Sequence, residues 1–296
     1  MPAFAKMDET GKVTVSLGGS CKLRCAHCYI TAPRFVFNPK LRVDDVIAAV
    51  RGIDAAYDTI CISGDTDPLL REDDFLHLIR RLNQEIQPRN LMFTTRLIPS
   101  GRIFDGLIQL GSDMSGQKRL LVPCASFVTS SYPNQIENHR LVPPPTDRAD
   151  LLARFLRAGL PTFAALRPTF PFNIVPPSEI DLLIQMIRKA ATCVLGEVFL
   201  LDEDGVIASR LGLDQTTEPA ANGYLTFLDQ PAGWQKRHFA AEVRYVSNTA
   251  KVAGLPFFLR SMSAIRYLEK AWDFNVKKIV RGVDSCVNRP YDDLMP

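Results

Sequence analysis

The sequence predicts an α/β protein whose parallel strands form a partial (βα)6 TIM-like barrel with a C-terminal α/β extension. Short apolar segments alternate with segments in which apolar residues recur at helical spacing, as they do at residues 43, 46, 47, 50 and 53. Such an alternation is typical of a parallel sheet covered by helices. Because right-handed crossovers curl a parallel sheet, six units rather than eight are expected to leave one side of the barrel open.

Six strand–helix units are expected in the first two thirds of the chain. The strands are predicted at residues 12–17, 59–63, 90–95, 120–129, 162–167 and 193–201. The helices are predicted at residues 43–56, 72–86, 103–110, 147–158 and 178–191. Residues 1–201 are therefore predicted to form the barrel core, and residues 202–296 an extension that packs on the barrel or closes it. In the extension we expect a hairpin near residues 204–205 and helices around residues 234–246 and 261–271.

The composition excludes several classes of protein. Hydrophobic residues make up 46% of the 296-residue chain and charged residues 23%, so a large core can be buried and disorder is not expected. The chain has no run of about 18 apolar residues and begins with polar residues, so we expect a cytoplasmic protein without a membrane partner. The net charge of +3 does not favour a nucleic-acid partner, although the basic segment at residues 277–281 keeps that alternative open.

Three of the seven cysteines lie together in the loop after the first strand: Cys21, Cys25 and Cys28. Thiolates are the ligands of iron–sulfur clusters, and three of them leave one iron of a [4Fe–4S] cluster without a protein ligand. A structural zinc site would need a second pair of ligands, and a ferredoxin would need a fourth cysteine close by. The sequence shows neither, and the other cysteines are scattered, so we predict one [4Fe–4S] cluster at this loop.

The spacing Cys21-x-x-x-Cys25-x-x-Cys28, followed by Tyr29, resembles the signature of the radical S-adenosylmethionine (SAM) superfamily. The resemblance covers about residues 12–201. It implies that SAM chelates the open iron, and that an electron from the reduced cluster cleaves SAM to a radical that abstracts hydrogen from a substrate. It also implies an electron donor such as flavodoxin or ferredoxin.

The resemblance further implies which residues bind SAM. His27 takes the place of an aromatic residue whose main chain contacts the adenine. The turn after the second strand is similar to the family's Gly-Gly-Glu-Pro-like turn, which binds the amino group of SAM. In this sequence the residues of that turn expected to bind SAM are Ser63, Gly64, Asp65 and Asp67.

The segments at residues 126–140 and 154–172 are similar to those of the spore photoproduct lyase-like branch of the superfamily. This similarity implies that Ser126 lies near the SAM ribose and Arg167 near the SAM carboxylate, which a guanidinium binds with two hydrogen bonds. In that branch a cysteine donates a hydrogen atom to the substrate radical. Cys61 and Cys124 are the candidates, because each shares a strand face with a serine at the predicted SAM site. The alternative is that both only fill the core.

Three functions stay open at this point. A small-molecule or natural-product substrate, changed by epimerisation, dehydrogenation or rearrangement, is favoured because no second cysteine cluster accompanies the triad. A nucleotide or nucleic acid is the second substrate class, by analogy with the lyase-like branch. The third alternative is an iron–sulfur protein without turnover, which acts as a binding partner or a sensor.

Overall fold

The computed structural model describes most of the chain. The described residues are 5–8, 10–32, 35–36, 38–131, 136–137, 140–196, 199–202, 204–213, 234–237, 239–275 and 278–279. Within them the chain is an α/β protein with a main sheet of eight strands. None of the described helices is both long enough and apolar enough to cross a membrane.

The bounds of the elements in the described residues are as follows. The strands are β1 (Ala5–Met7), β2 (Lys12–Val15), β3 (Thr59–Ile62), β4 (Asn90–Thr95), β5 (Leu120–Phe127), β6 (Phe163–Leu166), β7 (Cys193–Gly196), β8 (Phe199–Asp202), β9 (Trp234–Arg237), β10 (Phe257–Phe258), β11 (Trp272–Asp273) and β12 (Lys278–Ile279). The α-helices are α1 (Val43–Arg51), α2 (Glu72–Arg81), α3 (Gly101–Gly116), α4 (Pro145–Arg157), α5 (Pro177–Ile187), α6 (Val206–Leu211), α7 (Ala240–Val252) and α8 (Ser261–Ala271). Short 3-10 turns lie at Tyr29–Thr31 and Pro68–Arg71, and a π-helical turn at Leu82–Ile86 prolongs α2.

The main sheet has the strand order β1-β2-β3-β4-β5-β6-β7-β10. Neighbouring strands from β2 to β10 run parallel, whereas β1 pairs antiparallel with β2 at one edge. Helices α1 to α5 each connect one parallel strand to the next. The structure therefore confirms the predicted α/β sheet of a partial TIM-like barrel, in which the carboxyl ends of the strands share one edge.

Both faces of the sheet are buried, because side chains alternate along each strand and helices cover the two sides. On the outer face, residues such as Val15 and Phe93 pack with the apolar sides of α1 and α2. On the inner face, Met92 belongs to a cluster that includes Ile265 and Leu268 of α8. A helix from the C-terminal part of the chain thus covers the inner face.

Helix α3 is longer than the residues 103–110 that its weak apolar pattern predicts. Its glycines explain the difference, because they are points of close packing rather than helix ends. A Cβ atom on Gly111 would lie 2.2 Å from the side chain of Leu160, and one on Gly106 would lie 3.0 Å from Leu76. Glycine therefore lets α3 approach its neighbours closely.

The prediction of a hairpin near residues 204–205 was wrong. The strand expected at residues 193–201 is divided into β7 and β8, and β8 pairs antiparallel with the distant β9. The carboxylate of Asp202 accepts hydrogen bonds from the N–H groups of Val206 at 3.0 Å and Ile207 at 2.8 Å. Because these bonds satisfy the first N–H groups of a helix, the chain after β8 enters α6 instead of turning back.

Of the two helices predicted in the C-terminal part of the chain, one is confirmed and the other begins later than predicted. The helix expected at residues 261–271 is confirmed as α8. The helix expected from residue 234 begins at residue 240 as α7, and β9 occupies the residues before it. Most of the basic segment at residues 277–281 lies outside the described residues, and so does Cys286, the last of the four cysteines outside the triad.

Candidate functional site

A cavity of about 180 Å³ opens at the carboxyl ends of β2 to β6. Parallel α/β barrels bind their ligands at this edge, because the loops that follow the strands meet there. Most of the predicted site residues line the cavity: Cys21, Cys25, His27, Cys28, Ser63, Gly64, Asp67, Ser126 and Arg167. The structure therefore brings together residues at the carboxyl ends of four separate strands, β2, β3, β5 and β6.

The cysteine loop is held close to its neighbours on both sides. The hydroxyl of Tyr29 donates a hydrogen bond to the carbonyl oxygen of Gly64 at 3.1 Å, which joins the cysteine loop to the turn after β3. Where the loop begins, Gly18 has a φ of 64°, and a Cβ atom there would lie 2.0 Å from the carbonyl oxygen of Pro39. Only glycine fits this backbone conformation and this close approach.

Two thiols of the triad, those of Cys21 and Cys28, lie in surroundings that disfavour their charged form in the absence of a metal. Burial, reinforced by the neighbouring Cys25 and opposed by Arg96, raises the pKa of Cys28 to about 12. Burial also raises the pKa of Cys21, although main-chain N–H groups that hydrogen-bond to its sulfur act against this rise. Metal ions bind the thiolate form of cysteine, so the binding of a metal or cluster by these cysteines would release protons.

The donor set is of the kind that an iron–sulfur cluster requires. Three thiols line one cavity, and thiolates are the donors that such clusters require. In the part of the chain that the structure describes, no group of three His, Cys, Asp or Glu side chains is arranged to hold one metal ion.

Asp67 lines the cavity and organises the turn that follows β3. Its carboxylate accepts hydrogen bonds from the N–H of Leu69 at 3.0 Å, the hydroxyl of Thr95 at 2.8 Å and the N–H of Arg96 at 2.6 Å. Burial raises the pKa of Asp67, and these hydrogen bonds lower it only in part. Because its oxygens are engaged by the protein, Asp67 shapes the site and leaves little capacity for a direct bond to SAM.

Asp65 was predicted to contact SAM, but the structure places it outside the cavity lining. The carboxylate is fully buried and accepts a hydrogen bond from the hydroxyl of Ser16. The side-chain and main-chain nitrogens of Asn38 donate to its other oxygen at 2.9 Å and 3.3 Å. Asp65 thus joins the end of β2 to the segment after the cysteine loop, while its neighbour Thr66 lines the cavity. This position favours a structural role for Asp65.

His27 is held at both ring nitrogens. Its Nε2 lies 3.0 Å from Nη2 of Arg96, and its Nδ1 lies 3.2 Å from the carbonyl oxygen of Ile136. Because a guanidinium can only donate, Nε2 accepts and Nδ1 donates. Burial and the nearby Arg96 lower the pKa of His27 to about 3, so the ring is neutral. The side chain anchors the cysteine loop, which leaves the main chain for the predicted contact with adenine.

A buried ion network lies beside the cavity, and the sequence reasoning missed it. Arg148 donates to the two carboxylate oxygens of Glu137 at 3.1 Å and 2.5 Å, and Arg96 donates to the same carboxylate. Arg148 is 0% exposed and Glu137 is 2% exposed. Burial raises the pKa of Glu137, but the two arginines lower it by more, so the pKa lies below its usual value.

One signal in the sequence indicates Arg148. It lies four residues before Leu152 and seven before Phe155, on the side of α4 that is otherwise apolar and buried. An arginine at such a position needs a buried anion. Glu137 lies in a loop, however, and no local pattern marks it as the partner.

Ser126 and Arg167 line the cavity at the ends of β5 and β6, as expected. The carbonyl oxygen of Ser126 accepts a hydrogen bond from Arg148, which ties the end of β5 to the ion network. Burial raises the pKa of Cys124 to about 12, and the charge of Arg167 acts in the opposite direction. Their contacts with the ribose and the carboxylate of SAM stay predictions.

Cys61 and Cys124, the candidate hydrogen-atom donors, lie on the inner face of the sheet. They are 6% and 1% exposed, and both belong to the apolar cluster that contains Met92 and α8. Neither lines the cavity, but each lies two residues before a serine that does, Ser63 or Ser126. Their role as donors stays a prediction.

Comparisons with known proteins bear on the fold. No protein-family model matches the chain, and no curated protein matches it significantly. Among solved structures, SuiB of Streptococcus suis bound to S-adenosylmethionine is 14% identical, with a TM-score of 0.56, over 85% of this chain and 50% of SuiB. SuiB bound to precursor peptide SuiA is also 14% identical, with a TM-score of 0.56, over 87% of this chain and 51% of SuiB. The chain therefore spans about half the length of SuiB and is similar to it in fold.

Proposed function

We propose that this chain is a radical SAM enzyme with one [4Fe–4S] cluster. The observation that carries the proposal is the meeting of three cysteines with Ser126 and Arg167 around one cavity at the carboxyl edge of the sheet. SuiB, which has a similar fold, was solved with SAM bound, and this supports SAM as the ligand here. The resemblance to the spore photoproduct lyase-like branch stays a prediction.

In this proposal each part of the cavity has a distinct task. Cys21, Cys25 and Cys28 hold the cluster, which supplies the electron that cleaves SAM and starts hydrogen abstraction from the substrate. The guanidinium of Arg167 binds the SAM carboxylate through paired hydrogen bonds. Asp67 keeps the turn after β3 in place, because its carboxylate binds the N–H and hydroxyl groups of that rim.

We propose a small molecule or natural product as the substrate, changed by epimerisation, dehydrogenation or rearrangement. The other described cysteines are Cys61, Cys124 and Cys193, and all three are buried in the inner apolar cluster. Within the described residues, nothing therefore supports a second cluster beside the first. A single cluster suits one hydrogen abstraction from one substrate.

Anaerobic reconstitution with iron and sulfide tests the proposal. The protein should bind a [4Fe–4S] cluster and, with dithionite and SAM, form 5′-deoxyadenosine. Cys25→Ala should lose both properties, whereas Cys193→Ala, which removes a buried thiol outside the cavity, should keep both. Failure of the wild-type protein to bind a cluster would refute the proposal.

The same assay separates the alternatives. A cluster that forms without any 5′-deoxyadenosine would favour the non-catalytic iron–sulfur protein. Salt-dependent binding of DNA or RNA by the loaded protein would favour the nucleic-acid substrate. Reduced flavodoxin or ferredoxin should replace dithionite, because we propose such a protein as the electron donor.

A further inference from the structure

Arg96 connects the segments around the cavity through both its side chain and its main chain. Its guanidinium donates to Glu137, and Nη2 lies 3.0 Å from Nε2 of His27. The same nitrogen donates to the carbonyl oxygen of Arg167 at 3.3 Å, and the main-chain N–H donates to Asp67 at 2.6 Å. The side chain is only 15% exposed. These contacts hold the guanidinium at one place on the cavity wall.

The ion pairs around Arg96 join two guanidinium groups to one carboxylate. Arg96 and Arg148 share the single carboxylate of Glu137. His27 adds no charge, because its Nε2 accepts from Arg96 and its Nδ1 donates to a main-chain carbonyl oxygen. Within the described residues, Arg96 and Arg148 thus pair with one carboxylate, while the carboxylate of Asp67 accepts from the main-chain N–H of Arg96. Because the side chain of Arg96 is only 15% exposed, its charge is weakly screened by water.

The guanidinium of Arg96 lies against the cysteine loop. Arg96 lines the same cavity as Cys21, Cys25 and Cys28. Its Nη2 lies 3.0 Å from Nε2 of His27, which stands between Cys25 and Cys28 in the chain. A positive charge at this place stabilises negative charge on groups bound in the cavity.

Resting on the proposed function, we infer that Arg96 supplies the fixed positive charge that favours the reduced state of the cluster held by Cys21, Cys25 and Cys28. Reduction adds an electron, and a nearby cation in poorly hydrated surroundings stabilises the reduced form more than the oxidised form. Net charge and hydrogen bonding near the sulfur atoms set the reduction potentials of iron–sulfur clusters. Arg96 is thus a positioning residue that acts on the cluster through its charge.

Redox titration of the reconstituted cluster tests this role. Arg96→Gln should make reduction about tenfold less favourable, which corresponds to a decrease of about 59 mV for a one-electron couple. Arg96→Lys retains the charge and should stay near the wild-type potential. Arg71→Gln is the matched control, because Arg71 is 16% exposed and donates to the main-chain carbonyls of Leu17 and Leu41. It should leave the potential unchanged.

The opposite change in charge provides a second test that does not require Arg96→Gln to fold. Glu137→Gln retains an oxygen that can accept from Arg96 but removes the negative charge, so the potential should rise. An unchanged potential in Arg96→Gln or in Glu137→Gln would overturn the inference. So would an equal shift in Arg71→Gln or in Arg96→Lys. If the wild-type protein binds no cluster at all, the proposed function fails first.

Discussion

Arg148 donates hydrogen bonds to both carboxylate oxygens of Glu137, although their side chains are only 0% and 1% exposed. The pair joins α4 to the loop that contacts the cysteine loop, and through Arg96 it reaches the cavity. Burial of two charges is costly, so such a pair is stable only while both partners are present. The loss of either partner should therefore destabilise the folded protein.

Removal of Arg148 should destabilise the protein strongly. Arg148→Met leaves the carboxylate of Glu137 buried with one partner fewer, and we expect the free energy of unfolding to fall by about 3–5 kcal/mol. Urea unfolding of the apoprotein measures this loss. Arg102→Met, which breaks an exposed ion pair with Asp73, is the control and should cost no more than about 1 kcal/mol. Equal effects of the two variants would contradict the prediction.

The contribution of Glu137 to stability should depend on pH. Burial raises the pKa of Glu137, but Arg96 and Arg148 lower it by a larger amount. The pKa in the folded protein therefore lies below the unfolded value of about 4.3. The stabilisation is then complete above the unfolded pKa and is lost as the pH falls through the folded pKa. The difference in unfolding free energy between wild type and Glu137→Gln should shrink below about pH 4. A difference that is constant with pH would disagree.

Glycines at the start of the cysteine loop should differ in their tolerance of alanine. Gly18→Ala combines a positive φ with a Cβ atom 2.0 Å from a carbonyl oxygen, so it should cost at least about 2 kcal/mol. Gly19→Ala has the positive φ but no contact within 4 Å, so about 1 kcal/mol is expected. Gly101→Ala, at the first residue of α3, has neither and should change the stability by no more than about 0.5 kcal/mol. Thermal or urea unfolding should reproduce this order.

Asp65 should matter for stability rather than for SAM. Asp65→Ala leaves the buried hydroxyl of Ser16 and the amide of Asn38 without their acceptor, which should cost about 1–3 kcal/mol of unfolding free energy. The affinity of the folded, reconstituted protein for SAM, measured by equilibrium dialysis, should be unchanged. A large loss of SAM affinity with normal stability would support the direct contact that the sequence suggested.

The hydrogen-donor proposal for Cys61 and Cys124 makes a prediction that isotopes can check. In deuterated water, product formed by the wild-type protein should carry solvent deuterium, and the alanine variant of the true donor should lose it. Cys193→Ala is the control. Cys193 lies in the same apolar cluster, but the residue two positions after it does not line the cavity. If Cys61→Ala and Cys124→Ala both give product with as much solvent deuterium as the wild-type protein, neither cysteine is the donor and both serve only in packing.

Local patterns predicted the parallel sheet because the period of apolar residues reports which face of a helix or strand is buried. They failed at Asp202, where side-chain hydrogen bonds to N–H groups direct the chain into α6. They also failed at Gly111, where a glycine that permits close packing looks like the end of a helix in the sequence. Both failures depend on contacts that the apolar period does not describe.

The sequence by itself determined the cysteine triad and its position after the first parallel strand, because both depend only on spacing and on strand order. Tertiary structure decided which carboxylate of the turn faces the cavity, since Asp65 and Asp67 differ by only two residues yet bind different segments. It also decided that Arg96, Glu137 and Arg148 form one network. Contacts across tens of residues depend on how elements pack, and a buried charge reveals its partner only when the fold has brought the two together.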